Sequence, residues 1–150
     1  MRNRGFTLIE ILIAVAIVAV LIGFIVPNFL GIRIRARDTK RKSDLSQLQI
    51  AMELFRSDRD LPAYPDDTFM NGLCNKCWTQ NADCGGNIYM KKLPCDPQTQ
   101  NQYIYVRNPG DSLRYDISAC LENQNDPDRD TESISQCDDQ GMVSYTLTEP

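Results

Sequence analysis

Histidine is absent from this chain of 150 residues, and tryptophan occurs once. Without an imidazole, the chain cannot use the commonest general acid and base, a Ser-His-Asp triad or a histidine metal ligand. The glycines form no phosphate-binding loop, and no nucleophile motif is present. We therefore predict that the chain has no catalytic residues and is not an enzyme.

Charge is missing from a long stretch near the amino terminus. Apart from Glu10, the residues from Phe6 to Val26 are uncharged and mostly apolar. As a helix, the residues from Phe6 to Pro27 would span about 30 Å, the thickness of the hydrocarbon core of a bilayer. We therefore predict a membrane-spanning helix. A carboxylate is costly in such a segment, so we expect Glu10 to have a function.

The residues before this stretch form a short basic leader, 1–5, which ends in Gly5 and precedes Phe6. With Glu10 and the apolar run, this leader resembles the class III signal and N-terminal helix of type IV prepilins and type II secretion pseudopilins. The resemblance implies cleavage after Gly5 by a prepilin peptidase and methylation of the new N-terminal Phe6. It also implies an assembly role for Glu10 and a helix-interrupting role for Pro27. An ordinary signal anchor that tolerates one glutamate is the alternative.

The same resemblance implies the cellular setting. The precursor would be a single-pass protein of the cytoplasmic membrane with its head outside the cytoplasm, and would then enter an extracytoplasmic filament. Its partners would be copies of itself, the prepilin peptidase, an inner-membrane assembly platform with its ATPase, other minor pilins and, before assembly, membrane lipid. The positive-inside rule alone points the other way, because more basic residues follow the apolar run than precede it.

The rest of the chain predicts an α+β, pilin-like fold. Apolar residues recur at helical spacing as far as Phe55, so we expect one long helix that continues to about Ser57. This stripe consists of Leu45, Leu48, Met52 and Phe55. Short β-rich runs predict a small antiparallel sheet with a hairpin turn at 108–111. The runs lie at 103–106, 113–117 and 142–147.

The predicted organisation has five segments. The first three are a leader (1–5), a transmembrane and assembly helix (6–30) and an amphipathic helix half (31–58). They are followed by a cysteine-rich loop region (59–95) and a sheet head with an acidic loop (96–150). Most of residues 88–117 is similar to the head of major pseudopilins, whereas the cysteine-bearing segment 63–87 departs from it.

Six cysteines all lie beyond the apolar run: Cys74, Cys77, Cys84, Cys95, Cys120 and Cys137. An even number in a small polar domain favours disulfides in an oxidising compartment. The spacing of Cys74 and Cys77 is also that of a zinc knuckle, and partly free thiols are a further alternative. Among the fifteen pairings that six cysteines allow, we expect Cys120 to pair with Cys137.

The two ends of the chain carry opposite charge. Residues 1–42 contain eight Lys or Arg and two acidic residues. Residues 43–150 contain eight Lys or Arg and eighteen acidic residues, so the net charge of the whole chain is −4. The basic residues after the apolar run are Arg33, Arg35, Arg37, Lys40, Arg41 and Lys42. This basic cluster has three interpretations: a solvated helix face, contacts with acidic patches of neighbouring subunits, or phosphate binding in lipid or nucleic acid. Nucleic acid is the partner that we favour least.

An acidic loop lies between Cys120 and Cys137. Its carboxylates recur at alternate positions, a pattern that suits the oxygen ligands of Ca²⁺, and they belong to Asp126, Asp128, Asp130 and Glu132. The pseudopilin resemblance also implies a calcium site in the C-terminal loop. Arg129 places a positive charge inside the loop, however, and a solvated acidic loop is the alternative. No cofactor is required, and zinc is the less favoured metal.

These features predict a structural subunit of a type IV pilus-like filament or type II secretion-like pseudopilus, polymerised through its N-terminal helix. The resemblance is closest to major pseudopilin-like proteins, but the sequence does not separate a pseudopilus from a pilus or a competence filament. The alternative is a minor or tip pilin, or a membrane-tethered binding module that captures DNA or a surface ligand. A zinc-stabilised anchored domain is a third interpretation.

Overall fold

The computed structural model describes residues 6–58, 62–80 and 84–150, with the side chains of 24–28 and 30 left out of this description. The chain divides into two units, one up to Arg35 and one from Ala36 to Pro150, which we call the head. The elements are α1 (Leu8–Ser57), β1 (Trp78–Thr79), β2 (Ile88–Met90), β3 (Ile104–Arg107), β4 (Tyr115–Leu121), α2 (Ser135–Asp138) and β5 (Val143–Thr148). The fold is therefore the predicted α+β fold, with a long N-terminal helix and a small antiparallel sheet.

Helix α1 begins behind a reciprocal cap. The backbone N–H of Glu10 donates to Oγ1 of Thr7 at 3.3 Å, and the N–H of Thr7 donates to Oε2 of Glu10 at 3.4 Å. This capping box satisfies backbone donors that the first helical turn leaves free. The backbone remains helical through Pro27, so the proline does not end the helix, which continues to Ser57. Over the described residues, no helix is both long enough and apolar enough to cross a membrane.

The core of the head is built on one face of α1. The predicted apolar stripe is buried there: Leu45, Leu48, Met52 and Phe55. Each of these side chains contributes about 1.5–3 kcal/mol when fully buried. The ring of Phe55 contacts those of Trp78 and Tyr89, with centroids 5.3 and 5.2 Å away. Both aromatic residues thus pack against the helix stripe.

The three-stranded sheet has β4 in its centre, antiparallel to both β3 and β5. Ile104 pairs with Ser118 in the ladder between β3 and β4. The predicted turn joins these two strands, and its Asn108 side chain accepts a hydrogen bond from the N–H of Gly110 at 2.9 Å. Ile117 of β4 is buried in the same cluster as the α1 stripe, so the sheet and the helix share one core.

The connection between α1 and the sheet contains more structure than predicted. We expected a cysteine-rich loop region, but β1 and β2 pair there in an antiparallel ribbon. Two disulfides, Cys74–Cys95 and Cys77–Cys84, cross-link this segment. The third disulfide joins Cys120 of β4 to Cys137 of α2, as predicted. All six cysteines are paired, so no thiolate is available as a zinc ligand.

Candidate functional site

The predicted processing and assembly residues lie around the start of α1. Gly5 falls outside the described residues, and Phe6 is 78% exposed. The Glu10 carboxylate takes part in the capping box, so it has a structural role within its own chain. Thr7 was not predicted from the sequence, although Thr-x-x-Glu before an apolar run is the pattern of a capping box. At Pro27 only the backbone is described.

An apolar strip runs along the first turns of α1. It is lined by Leu8, Ile11, Leu12, Val15, Ala16 and Ala19. The large side chains in this strip are more than half exposed in the single chain. A contiguous apolar surface of this kind marks a contact with another protein or with lipid. The first unit of the chain therefore presents a surface that needs a partner.

In the head, Arg41 of α1 is buried among carboxylates. It is 1% exposed and donates to Asp38 at 2.7 Å, Asp96 at 2.5 Å and Glu122 at 2.7 Å. Burial by itself would lower the pKa of Arg41, but the hydrogen bonds to these three carboxylates outweigh burial and raise the pKa. Such partners are required, because a buried guanidinium without them would be strongly destabilising.

Glu122 binds a second arginine of α1. Nε and Nη2 of Arg37 donate to its two oxygens at 2.6 and 2.5 Å, which is bidentate geometry. The hydrogen bond from Arg37 lowers the pKa of Glu122, although burial opposes this shift. The Asp38 carboxylate accepts the backbone N–H groups of Glu122 and Asn123 at 3.0 and 2.8 Å. Charged residues of α1 thereby fix the chain directly after β4.

Most residues of the predicted basic cluster form ion pairs within the head. Lys40, for example, donates to Asp44 at 2.5 Å. The residues paired in this way are Arg37, Lys40, Arg41 and Lys42. In the other unit, the guanidinium of Arg33 lies over the ring of Phe29, 4.9 Å from its centroid. Intrachain pairing is an outcome that none of the three sequence interpretations included.

Two of the three acidic partners of Arg41 lie far from it along the chain and were therefore missed. Asp96 lies 55 residues from Arg41 along the chain, and Glu122 lies 81 residues away. No local spacing pattern connects residues so far apart, and only the folded chain brings them to the helix. The sequence signal was limited to the opposite charges of the two ends of the chain.

The predicted calcium ligands do not converge on one point. Lys42 donates to both Asp126 and Asp128. Asp130 accepts hydrogen bonds from the β5 residues Ser144 and Thr146 instead, at 2.5 and 2.8 Å. Glu132 is exposed. Within the described part of the chain, no group of three or more acidic or cysteine side chains is arranged to hold a metal ion. The four residues therefore do not fit calcium as they lie.

Two family models match the chain. The "Prokaryotic N-terminal methylation motif" matches residues 1–26, and "Type II secretion system (T2SS), protein G" matches residues 28–136. No solved structure matches the chain.

The similar curated proteins include secretion proteins that match over most of their length and a pilin that matches over a smaller part. Type II secretion system core protein G of Escherichia coli (strain K12) is 34% identical over 121 residues, which cover 77% of this chain and 79% of that protein. The core protein G of Vibrio cholerae is 34% identical over 120 residues, which cover 77% of this chain and 78% of that protein. Type IV major pilin protein PilA of Myxococcus xanthus is 42% identical over 59 residues, which cover 39% of this chain and 27% of that pilin.

Proposed function

Because the chain belongs to the type II secretion system protein G family, we propose that it is the major subunit of a secretion pseudopilus. It is a structural filament subunit, not an enzyme, and it polymerises with copies of itself in a secretion or pilus machinery. The similarity to a type IV pilin covers 39% of the chain, whereas the similarity to core protein G covers 77%. Because the similarity to core protein G extends over more of the chain, it favours a pseudopilus over a pilus.

Processing at the amino terminus is the first step of this function. The prepilin peptidase cuts after Gly5 on the cytoplasmic side, and Phe6 becomes the methylated N-terminal residue. The N-terminal methylation motif over residues 1–26 supports this step. Until assembly, the chain resides in the cytoplasmic membrane with its head outside. The three disulfides support an extracytoplasmic head, because they persist in oxidising compartments.

Assembly follows through α1. The inner-membrane platform and its ATPase bring the chain into a filament that also contains minor pilins, and the apolar strip of α1 is buried against neighbouring subunits. The capping box holds the Glu10 carboxylate at the end of the helix, where it can pair with the Phe6 amino group of a neighbour. In a filament interior, each of these charges is stable only when the other is present.

Substitutions at two positions separate the charge of Glu10 from its capping role. Glu10→Gln removes the charge but keeps an oxygen that can accept the Thr7 N–H, whereas Glu10→Val removes both. We expect both variants to lose more than about tenfold in filament yield, because an unpaired buried amine costs well above the ~1.4 kcal/mol that equals tenfold. Thr7→Ala weakens only the cap, by about 0.5–2 kcal/mol, and should still form filaments.

The intact mass of each variant from native membranes is the control. Loss of residues 1–5, gain of one methyl group and loss of the six hydrogens of three disulfides would show normal processing and folding. Wild-type filament yield from Glu10→Gln, together with impaired Glu10→Val, would contradict the charge role and leave capping as the function of this residue.

A further inference from the structure

The side chain of Lys42 leaves α1 and ends inside the acidic loop. Its ammonium donates to Oδ1 of Asp126 and, at 2.7 Å, to Oδ2 of Asp128. The side chains of Lys42 and Asp126 are only 21% and 11% exposed. The ring of Tyr145 in β5 lies beside the ammonium, with its centroid 5.5 Å from Nζ. The charge of Lys42 is thus largely enclosed by the loop and the sheet.

The loop folds around this ammonium. Oδ1 of Asp126 also accepts the backbone N–H of Asp128 at 3.0 Å, and this turn brings the two carboxylates together. The loop's own cation, Arg129, is turned toward the carbonyl oxygen of Gln124 at 2.6 Å. Among the described residues, Lys42 is therefore the cation that is paired with both carboxylates.

A metal ion would have to compete with Lys42 for the same oxygens. Ca²⁺ binds about six to eight oxygens at about 2.3–2.6 Å, so an ion held by both carboxylates would occupy the position of Nζ. The next carboxylate, Asp130, is already bound by β5. We propose that the Lys42 ammonium is the resident cation of the acidic loop, which therefore folds without the calcium that the pseudopilin resemblance implied.

The electrostatics of the two partners agree with this role. Burial pulls the pKa of Lys42 down, but its hydrogen bonds to Asp126 and Asp128 outweigh burial and raise the pKa. Burial likewise opposes ionisation of Asp126, yet the hydrogen bond from Lys42 leaves the pKa of that carboxyl lowered. Both groups are therefore charged across the neutral pH range. Without the lysine, two nearby carboxylates would lack a counter-charge.

The proposal is tested by thermal unfolding of the full-length chain in detergent, followed by the fluorescence of Trp78, the only tryptophan. The melting temperature of the unaltered chain should be the same in EDTA and in millimolar CaCl₂. Lys42→Gln should lower it by about 4–8 °C, the shift expected when a partly buried charge loses its partner. Millimolar CaCl₂ should recover part of this loss, because a divalent cation can then approach the two carboxylates.

Lys40→Gln is the matched control. Lys40 lies two residues before Lys42 and carries the same charge, but it contacts Asp44 and not the acidic loop. The melting temperature of this variant should not respond to CaCl₂. Two results would overturn the proposal. One is an unaltered chain that loses several degrees in EDTA and regains them in CaCl₂. The other is a Lys42→Gln variant that melts at the temperature of the unaltered chain.

Discussion

At the scale of single residues, two neighbouring tyrosines of the core differ in what their hydroxyl groups contact. The rings of Tyr115 and Tyr105 are both buried, with centroids 5.7 Å apart. The hydroxyl of Tyr105 donates to the carbonyl oxygen of Pro65 at 2.8 Å. The hydroxyl of Tyr115 has no hydrogen-bond partner in the described part of the chain. A buried polar atom without a partner costs about 1–3 kcal/mol.

This contrast predicts substitutions with opposite effects. Tyr115→Phe should raise the free energy of unfolding by about 1 kcal/mol, because it removes a buried hydroxyl that makes no hydrogen bond. Tyr105→Phe should lower it by about 0.5–1.5 kcal/mol, because the Pro65 carbonyl loses its donor. Denaturant unfolding of the full-length chain, followed by Trp78 fluorescence, measures both. Destabilisation by both substitutions to the same extent would contradict the assignment of Tyr115 as the unsatisfied group.

At the scale of elements, the long ones were predictable and the short ones were not. Helix α1 has 50 residues, and its stripe repeats several times, so its period is visible in the sequence. Strands β3, β4 and β5 carry runs of β-branched and aromatic residues that gave the sheet and its turn. In contrast, β1, β2 and α2 have two, three and four residues, too few to show any period. These elements depend on disulfides and tertiary contacts.

The residues of the candidate site also differ in whether they could be predicted from the sequence. Glu10 stood out because a carboxylate in an apolar run breaks a local pattern, and the cysteines stood out by number. The pairing of Cys120 with Cys137 was predicted because the two flank one loop. The contacts of Arg41 with Asp96 and Glu122, and those of Lys42 with the acidic loop, could not be predicted, because these partners lie 55 to 86 residues away along the chain. Only the folded chain brings them together.

The disulfides allow a prediction at the scale of elements. Cys120–Cys137 closes a separation of 17 residues and ties α2 to β4, whereas Cys77–Cys84 closes a separation of 7. Replacing the first pair by serine should cost about 3 kcal/mol and the second about 2 kcal/mol, since longer loops restrict the unfolded chain more. Denaturant midpoints of the two double variants measure the order. A larger loss from the Cys77–Cys84 pair would contradict it.

At the scale of the whole molecule, stability should fall in acid, because several carboxyl groups have a lowered pKa in the folded chain. Burial raises the pKa of Asp96, but hydrogen bonds led by that from Arg41 outweigh it and lower the pKa. The pKa values of Glu122 and Asp126 are lowered as well. The folded chain therefore binds fewer protons than the unfolded chain near the ordinary pKa values of 3.8 and 4.5. The resulting stability is present above these values and is lost as the pH falls through the lowered ones.

We therefore expect the melting temperature to change little between about pH 5 and 7 and to fall steadily below about pH 4. Glu122→Gln should lower the melting temperature at neutral pH, because Arg41 loses a charged partner, and should reduce the further loss in acid. Glu132→Gln removes an exposed carboxyl outside this network and should keep the unaltered profile. Parallel acid profiles for Glu122→Gln and the unaltered chain would contradict the assignment.

The pairing of all six cysteines has a consequence for how the protein responds to its surroundings. Oxidised cysteines carry no titrating thiol, and the chain has no histidine. The group whose ordinary pKa lies near neutrality is then the amino terminus, at about 7.7–8.0, which cleavage after Gly5 would transfer to Phe6. Around neutral pH the side chains of such a chain would keep a nearly constant charge, and the amino group would be the group whose protonation responds to pH.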